Sequence, residues 1–359
     1  MTNTIKVVSL FSGIGGFEVG LKKSKIKSKV VFASEIDNFA QRSYTANFPA
    51  NSLFGDITKI DEKTIPDHDL LLAGFPCQSF SIAGKQKGFD DIRGTLFFDV
   101  ARILSEKKPK FVLLENVKNL ISHNKTATIT TILKTLNNIG YTVDFTIINS
   151  VEAGVPQNRD RTYILGVYNG KKEKFQDDIR NPKITQLKQL LNNETFCGFN
   201  FFNKVQFNNK QKFIKDILEI EVDKSFFFDT PKINEFLCRK ENLTQTRCDA
   251  KIIKLFDLPR EIHNDLERQR RVYSIFGISP TVLARADSTK ILVSTPDGLK
   301  VRKITATENF YIQGFNKTFV DNIKASGMSA TQMYKQSGNA VSPPVITGIL
   351  NCLYEELIK

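Results

Sequence analysis

A cysteine and a glutamate that each follow an apolar run are the residues best suited to chemistry in this chain. Cys77 stands directly after Pro76 and the run 69–73, and Glu115 ends the run 110–114. Such runs predict buried strands, and neighbouring strands of one sheet would carry both side chains to the same edge. A thiolate there could act as a nucleophile while the carboxyl group donates a proton. A buried structural thiol and a helix N-cap acid are the alternative interpretations of the two residues.

A glycine-rich turn lies between the first apolar run, 5–11, and a helical stretch that extends to about Lys23. A turn of this kind lets a ligand approach the backbone and bind at the helix N-terminus. The dinucleotide fingerprint needs a further glycine where this chain has Glu18, and a negative side chain there suits a pyrophosphate poorly, so a nucleoside without phosphates fits better. Acids follow the next two strands. Glu35 is placed to accept hydrogen bonds from ribose hydroxyls, and Asp56 could receive an adenine amino group.

Two arginines and a later loop are suited to binding an anion or a base. Arg159 and Arg161 are spaced by one residue, so they lie on the same side of an extended segment and suit contacts with phosphate and base oxygens. The loop 277–285 is rich in small polar groups and could enter a groove, with Thr281 and Arg285 as candidate base readers. Some of the arginines Arg247, Arg260, Arg268 and Arg271 are expected to read bases as well.

The composition is that of a soluble globular protein with a polyanionic partner. Of 359 residues, 41% are hydrophobic and 25% are charged, and 51 Lys and Arg against 38 Asp and Glu give a net charge of +13. This excess favours nucleic acid as a partner, although a generally basic proteome would produce it too. The five cysteines form no CxxC pair and there are three histidines, so no zinc site is expected and the thiols are expected to be free. Without an apolar run of membrane length, we expect a cytoplasmic protein that does not enter a membrane.

The chain divides into a regular and an irregular part. Strand and helix patterns alternate through the first half, which predicts an α/β sheet with helices on both faces. We expect residues 1–180 and 327–359 to form one domain, to which the C-terminal helix returns, and residues 181–326 to form a second, smaller one. The phenylalanine-rich stretches 199–202 and 226–228 are expected to be core of the second domain rather than base-stacking surfaces.

Taken together, the motifs resemble those of the DNA (cytosine-5) methyltransferases. The stretch 74–103 is especially similar to the short bacterial restriction–modification enzymes of the HhaI type, and the resemblance covers about residues 5–168 and 270–359. The motifs that carry it, in chain order, are Phe11-Ser12-Gly13-Ile14-Gly15-Gly16, Gly74-Phe75-Pro76-Cys77-Gln78, Glu115-Asn116-Val117, Gln157-Asn158-Arg159-Asp160-Arg161, Arg302-Lys303-Ile304-Thr305 with Glu308 and Gln313-Gly314-Phe315, and Gln336-Ser337-Gly338-Asn339-Ala340-Val341.

The resemblance implies a role for each matching residue. Cys77 would add to cytosine carbon 6, Glu115 would hydrogen-bond or protonate N3, and Arg159 and Arg161 would orient the cytosine and its phosphate. The implied S-adenosylmethionine pocket consists of Phe11, Ser12, Gly13, Gly15, Gly16, Glu35, Ile36, Asp56, Ile57, Pro76, Leu96, Asn339, Ala340 and Val341. The implied phosphate contacts after the cysteine are Ser81, Lys85 and Arg93. Ile36 departs from the family, in which many members have a tryptophan against the adenine, so weaker adenine stacking is expected.

The resemblance also implies the fold and the partners. It implies a Rossmann-like, S-adenosylmethionine-dependent methyltransferase sheet, a smaller and irregular target-recognition domain, and a DNA cleft between them. The cofactor would leave as S-adenosylhomocysteine, and no metal is implied. The partners would be double-stranded DNA and, functionally, a cognate restriction endonuclease, and the protein would act as a monomer in the bacterial cytoplasm.

Three other functions remain open at this stage. The same chemistry on tRNA occurs in one branch of the family, but that branch lacks a large variable recognition region. A DNA-binding protein with a dead active site is disfavoured because the residues Cys77, Glu115, Arg159 and Arg161 are all present. A nicotinamide-dependent oxidoreductase is disfavoured by Glu18 in the glycine turn.

Overall fold

Apolar strands and amphipathic helices alternate along the first part of the chain, as the sequence predicts. The structure is a computed structural model and describes residues 4–76, 96–194, 196–240, 247–285 and 289–359. Residue contacts divide the chain into two compact units. Unit 1 comprises Met1–Asn149, Asp160–Phe207 and Val345–Lys359, and unit 2 comprises Ser150–Arg159 and Asn208–Pro344.

Unit 1 is built on a large sheet, which in the described residues has seven strands in the order β3-β2-β1-β4-β5-β8-β6. The strands are β1 (Ile5–Leu10), β2 (Ser28–Ser34), β3 (Leu53–Phe54), β4 (Leu70–Gly74), β5 (Phe111–Val117), β6 (Tyr141–Asn149) and β8 (Asp160–Tyr168). The first five pair in parallel, and β8 is antiparallel to both β5 and β6. This mainly parallel sheet with its helices confirms the expected α/β fold.

The order of strands creates a switch point between β1 and β4. From β1 the chain proceeds outward through β2 and β3, and from β4 it proceeds in the opposite direction to β5. Loops that leave two such neighbouring strands diverge, which opens a crevice at their carboxyl ends where ligands of α/β proteins bind. The glycine turn follows β1, and the segment toward Cys77 follows β4.

Helices with one apolar face cover the sheet of unit 1. They are α1 (Gly16–Lys23), α2 (Asn38–Thr45), α3 (Leu96–Lys107), α4 (Ala127–Ile139) and α5 (Pro182–Asn192). In α4 the residues Ile129, Ile132, Leu133 and Leu136 recur at helical spacing and are completely buried. They join strand residues in one hydrophobic core. The last helix, α11 (Pro343–Leu353), donates a hydrogen bond from Thr347 to the carbonyl of Gly20, both in unit 1.

Unit 2 combines small sheets and short helices. Its strands are β7 (Gln157–Asn158), β9 (Lys254–Asp257), β10 (Arg271–Ser274), β11 (Ser279–Pro280), β12 (Lys290–Thr295) and β13 (Gly298–Lys303). Its helices are α6 (Pro231–Cys238), α7 (Glu267–Arg270), α8 (Ala306–Gln313), α9 (Lys317–Ala325) and α10 (Ala330–Asn339). Within the described residues, β13-β12-β10-β9 form one sheet and β7 pairs with β11 in another.

The two phenylalanine-rich stretches differ: Phe226, Phe227 and Phe228 are half-buried, and Phe227 and Phe228 pack against apolar cores of unit 2. Phe199, Phe201 and Phe202 are buried, but they belong to unit 1 and not to the core of the second domain. The reason is Asp144 on β6, whose Oδ2 accepts hydrogen bonds from the main-chain N–H groups of Phe201 and Phe202, each at 2.8 Å. None of the helices in the described residues is long and apolar enough to cross a membrane.

Candidate active site

The strand ends that should carry the nucleophile and the acid are adjacent. β4 and β5 pair in parallel, and Gly74 stands opposite Glu115 in the register. Pro76 follows Gly74 by two positions and is exposed. Cys77 lies outside the described residues, as do Ser81, Lys85 and Arg93. The expected pairing of the two strands is therefore confirmed, and the position of the thiol stays a prediction.

Glu115 is held by an ion pair with Arg161. The guanidinium Nε of Arg161 lies 3.1 Å from Glu115 Oε1, and the two side chains are only 15% and 10% exposed. The register of β5 and β8 explains the contact, since Val117 stands opposite Arg161 near the end of both strands. Arg161 is further held by its own hydrogen bond to the carbonyl of Asp160 at 2.8 Å. A carboxylate fixed in this way keeps one orientation near the C-terminal end of β5.

Asn116 is a site residue to which the sequence analysis gave no role. Its Nδ2 donates to the carbonyl oxygen of Phe75 at 2.8 Å, and its Oδ1 accepts from the N–H of Val117 at the same distance. The side chain is 3% exposed. The end of β5 thus fixes the main chain that leads from β4 to Cys77. A polar residue directly after the candidate acid was the signal that could have found it.

The glycine turn after β1 is tightly anchored. Ser12 donates from its N–H and from its hydroxyl to the carbonyl of Ser34, at 2.9 and 3.1 Å. Phe11, Gly13 and Gly15 all have positive φ angles of 54°, 55° and 91°. Positive φ angles are uncommon outside glycine, and internal hydrogen bonds hold this conformation, since the N–H groups of Gly13 and Gly15 donate to Glu35 and to the Ser12 carbonyl.

Helix α1 begins at Gly16 with Gly15 as its N-cap, and Gly15 has no room for a side chain. A Cβ atom added to Gly15 would lie 2.2 Å from the Phe48 ring, whereas one added to Gly13 would meet nothing within 4 Å. Gly16 is buried as the first residue of the helix. There is therefore open space beside Gly13, whereas the Phe48 ring fills the space beside Gly15.

Glu35 is tied to the turn. Its Oε2 accepts from the N–H of Gly13 and its Oε1 accepts from the N–H of Asp37, both at 2.8 Å. Ile36 beside it is 68% exposed, and Phe54 at the end of β3 is 44% exposed. Exposed apolar side chains next to a fixed carboxylate suit a ligand with a flat apolar part and hydroxyl groups.

Asp56 and Ile57 follow β3. Asp56 Oδ1 accepts from the Thr58 hydroxyl at 2.7 Å and from the Thr58 N–H at 3.0 Å. The hydrogen bond from the Thr58 hydroxyl holds the pKa of the Asp56 carboxyl below its ordinary value. Ile57 is buried, and Leu96, the first described residue of α3, is half-buried. Asp56 is thus an ionised acceptor at neutral pH.

Glu18 is buried behind the glycine turn. It is 3% exposed, and the Tyr44 hydroxyl donates to its Oε1 at 3.3 Å. Burial raises the pKa of the Glu18 carboxyl to about 7. From the sequence, this side chain is expected to present a negative charge to the ligand. It is instead an interior group of α1, so the argument against a dinucleotide rests only on the missing glycine.

Arg159 and the C-terminal motif are joined within unit 2. Arg159 is 2% exposed, and its Nη2 donates to the carbonyl oxygens of Gly338 and Ala340 at 3.1 and 3.0 Å. Asn339 is exposed, Ala340 is half-buried and Val341 is buried. The contacts of Arg159 therefore fix the main chain of this motif.

Of the candidate base readers, Thr281, Arg268 and Arg271 line a basic cleft of unit 2, whereas Arg247 and Arg260 are exposed and do not line it. Thr281 donates from its hydroxyl to the carbonyl of Asn158 at 2.7 Å, and Arg285 is exposed. The cleft is lined by Arg268, Gln269, Arg271, Tyr273, Pro280, Thr281, Leu283, Thr289 and Lys290. Arg271 is paired with Glu267 at 2.7 Å. In the part of the chain that the structure describes, no group of three or more His, Cys, Asp or Glu side chains could hold a metal ion.

Comparison with known proteins identifies the family. The profile of the family described as C-5 cytosine-specific DNA methylase matches residues 5–355. The Type II methyltransferase M1.ScrFI of Lactococcus lactis subsp. cremoris is 39% identical over 360 residues, covering 100% of this chain and 80% of that protein. The Type II methyltransferase M.HhaI of Haemophilus parahaemolyticus is 34% identical, covering 94% of this chain and 90% of that protein.

Solved structures agree in fold. The Entamoeba histolytica methyltransferase EhMeth superposes with a TM-score of 0.69 at 18% identity, over 99% of both chains. The S. pombe Dnmt2 methyltransferase superposes with a TM-score of 0.66 at 19% identity, over 98% of this chain and 99% of that one. With the family profile spanning nearly the whole sequence, the chain belongs to the C-5 cytosine-specific DNA methylase family and is a DNA cytosine-5 methyltransferase.

Proposed function

We propose that this enzyme takes the methyl group from S-adenosylmethionine and transfers it to a cytosine within one short sequence of double-stranded DNA. The observation that carries the proposal is the end of β4 and β5, where Glu115 is fixed by Arg161 and Asn116 holds the main chain leading to Cys77. β4 and β5 are neighbours in the sheet and β1 with its glycine turn adjoins β4, which supports a nucleophile and an acid acting together at this edge.

Carbon 5 of cytosine is a poor nucleophile, and the proposed residues overcome this. The Cys77 thiolate adds to carbon 6, and the displaced electron pair moves toward N3, where Glu115 hydrogen-bonds or donates a proton. The resulting enamine is nucleophilic at carbon 5. S-adenosylmethionine supplies an electrophilic methyl group on a sulfonium centre, and S-adenosylhomocysteine is the product. A base then removes the carbon 5 proton, and the electrons of that C–H bond re-form the double bond as Cys77 leaves.

The target base must leave the helix for this reaction. A side chain cannot reach carbon 6 inside a stacked duplex, so the cytosine is flipped out of the DNA. The contacts of Arg161 support a positioning role for it, because its guanidinium group holds Glu115. The contacts of Arg159 support a different role, because its guanidinium group holds the segment around Gly338. The contacts proposed for the DNA are Ser81, Lys85, Arg93, Thr281 and Arg285.

The residues around the glycine turn fit the nucleoside part of the cofactor. Open space beside Gly13 admits a ligand against the main chain. Glu35 is fixed by two main-chain donors, and the remaining lone pairs of its carboxylate can accept ribose hydroxyls. Ile36 and Phe54 offer apolar surface to adenine, and Asp56 is an ionised acceptor for the adenine amino group. The assignment of Asn339, Ala340 and Val341 to the cofactor stays a prediction.

The biological setting we propose is a bacterial restriction–modification system. The two curated relatives named above are both type II methyltransferases, and the net charge of +13 suits a DNA-bound enzyme. A monomer in the cytoplasm, working beside a cognate endonuclease, is part of this proposal. The irregular unit 2 would read the DNA sequence, which disfavours a tRNA substrate.

The test is methyl transfer from labelled S-adenosylmethionine to unmethylated bacterial DNA and, in parallel, to unmodified tRNA. Base-resolution sequencing should find 5-methylcytosine at one short DNA motif. Glu115→Gln should lower the rate by about 10²- to 10⁴-fold, the usual contribution of a general acid. The matched control, Glu194→Gln, changes a 51% exposed carboxylate of unit 1 and should leave the rate unchanged. Transfer to tRNA alone, or full activity of Glu115→Gln, would contradict the proposal.

A further inference from the structure

Gln157 is a completely buried polar residue of unit 2 whose contacts the proposed chemistry does not use. Its Oε1 accepts from the main-chain N–H of Val282 at 2.9 Å, and its Nε2 donates to Gln313 Oε1 at 2.9 Å. A main-chain N–H can only donate, so the contact with Val282 fixes which end of the Gln157 amide is the oxygen. One side chain is therefore bonded at one end to residues 281–285, called the recognition loop because they include the candidate base readers Thr281 and Arg285, and at the other end to helix α8.

Gln313 extends this chain of hydrogen bonds to the C-terminal motif. It is also completely buried, and its Nε2 donates to the carbonyl of Ser337 at 2.7 Å and lies 3.3 Å from that of Ala340. Its Oε1 accepts a second hydrogen bond from the Ser342 hydroxyl at 3.0 Å. The path from the recognition loop to the segment 337–342 thus consists of two amide side chains, both inaccessible to water.

The main chain makes a second connection between the same two segments. A Cβ atom added to Gly338 would lie only 2.4 to 2.5 Å from main-chain atoms of Leu283 and Ala284. The recognition loop therefore packs directly on the backbone of Gly338. The short pairing of β7 with β11, Gln157 with Ser279, fixes the base of the same loop.

We propose that Gln157 is a positioning residue that couples recognition of the DNA sequence to cofactor binding, by joining the recognition loop 281–285 to the segment 337–342. This inference rests on the proposed function, in which the loop contacts DNA and Asn339, Ala340 and Val341 contact the cofactor. A displacement of the loop by the correct DNA is passed through Gln157 and Gln313 to the cofactor segment, because buried amides give up a hydrogen bond only at considerable cost. Coupling of this kind is reciprocal, so the cofactor must tighten DNA binding by the same factor.

The experiment measures that factor. The affinity is determined for a duplex that carries the sequence motif the enzyme methylates, with and without saturating S-adenosylhomocysteine. The same measurements are made on a duplex with a scrambled motif. For the wild type we expect the cofactor product to tighten specific binding by about 5- to 150-fold, the usual range of allosteric coupling. Gln157→Met removes all the side-chain hydrogen bonds of Gln157, including a long one at 3.5 Å to the carbonyl of Ile312 in α8, with little change in volume. It should bind each ligand alone within about threefold of the wild type, with the coupling factor reduced to nearly one.

The controls separate this inference from a general loss of structure. Gln332→Met makes the same chemical change at a half-buried position of α10, outside the path, and should retain the wild-type coupling. Gly338→Ala forces the recognition loop and the segment 337–342 apart. It should therefore reduce the coupling, because it disrupts the main-chain contact between them. If Gln157→Met does not fold, Gly338→Ala decides the question.

Two results would overturn the inference. One is full coupling in a folded Gln157→Met or, where that variant fails to fold, in Gly338→Ala. The other is a wild type that binds both ligands without any coupling. A wild type that binds neither S-adenosylhomocysteine nor DNA would instead contradict the proposed function, so the two failures are distinguishable.

Discussion

Replacing Lys188 with methionine removes a positive charge from the interior of unit 1. The Lys188 Nζ lies 2.7 Å from Asp144 Oδ1 and 3.7 Å from Asp178 Oδ2. The lysine side chain is 2% exposed, and those of the two aspartates are 1% and 0% exposed. Removing one partner from a buried ion pair leaves an uncompensated charge and typically costs about 3–5 kcal/mol.

The lower end of this range applies here because the carboxylates keep other donors. Asp144 also accepts main-chain hydrogen bonds from Phe145, Phe201 and Phe202 at 2.8 to 2.9 Å. Asp178 also accepts two, from the next turn of the chain, at 2.9 Å. We therefore expect Lys188→Met to lower the free energy of unfolding by about 3 kcal/mol, a large share of the 5–15 kcal/mol typical of proteins.

The assay is urea unfolding followed by far-ultraviolet circular dichroism, since the chain has no tryptophan to report by fluorescence. Lys204→Met is the matched control. Lys204 pairs with Glu356 at the same 2.7 Å within unit 1, but these side chains are 55% and 37% exposed. An exposed pair contributes about 0–1 kcal/mol because water and salt screen it. Equal losses for the two variants would refute the reasoning that burial, and not distance, decides the cost.

Three further predictions concern the region around the glycine turn. Gly15→Ala should lower the free energy of unfolding by about 1–3 kcal/mol more than Gly13→Ala, because only the former adds a clash with the Phe48 ring to the strain of a positive φ; equal losses in urea unfolding would contradict this. Ile36→Trp should tighten cofactor binding by about 2- to 10-fold, the strength of an aromatic stack, while Ile179→Trp at a similarly exposed position should change nothing. Burial raises the pKa of the Glu18 carboxyl from 4.5 to about 7, so the folded state is progressively destabilised, relative to the unfolded chain, as the pH rises between those values. Glu18→Gln should therefore be more stable than the wild type above pH 7, by up to about 3 kcal/mol, and this advantage should vanish below pH 4.5. A stability difference that does not change with pH would contradict a raised pKa of the Glu18 carboxyl.

The strands at the site were predictable because their signals are local. Strands of a parallel sheet are buried on both faces and appear as continuous apolar runs, which placed β4 and β5 within a few residues of their observed ends. The polar residues directly after such runs then identify the functional edge. Glu115 and the glycine turn follow from this rule without knowledge of the tertiary structure.

The partners of the site residues were not predictable, because they come from distant parts of the chain. The spacing of Arg159 and Arg161 suggests one shared role, yet Arg161 contacts Glu115 whereas Arg159 contacts carbonyl oxygens 179 and 181 positions further on. The contact of Asn116 with Phe75 depends on the pairing of β4 with β5. Sequence spacing gives the side on which a residue lies, but not what lies opposite.

Burial of charged residues was equally hidden from the sequence. Lysine is almost always exposed, so nothing in α5 indicates that Lys188 is buried between carboxylates. The same holds for Arg302 and Glu308, whose buried ion pair at 2.7 Å fixes the start of α8 together with a capping box from Thr305. Such pairs depend on the tertiary arrangement of elements, which local patterns do not encode.

The most direct test of the central claim is covalent trapping on DNA that carries 5-fluorocytosine at the target position. A base can remove the hydrogen of carbon 5 as a proton but cannot remove fluorine as a cation, so methyl transfer should leave the enzyme bonded to the DNA through Cys77. We predict a denaturant-resistant complex for the wild type and for Cys197→Ala, which removes a free thiol elsewhere in unit 1. Cys77→Ala should form no such complex and should not methylate ordinary DNA. A trapped complex, or a tenth of wild-type turnover, with Cys77→Ala would contradict the account.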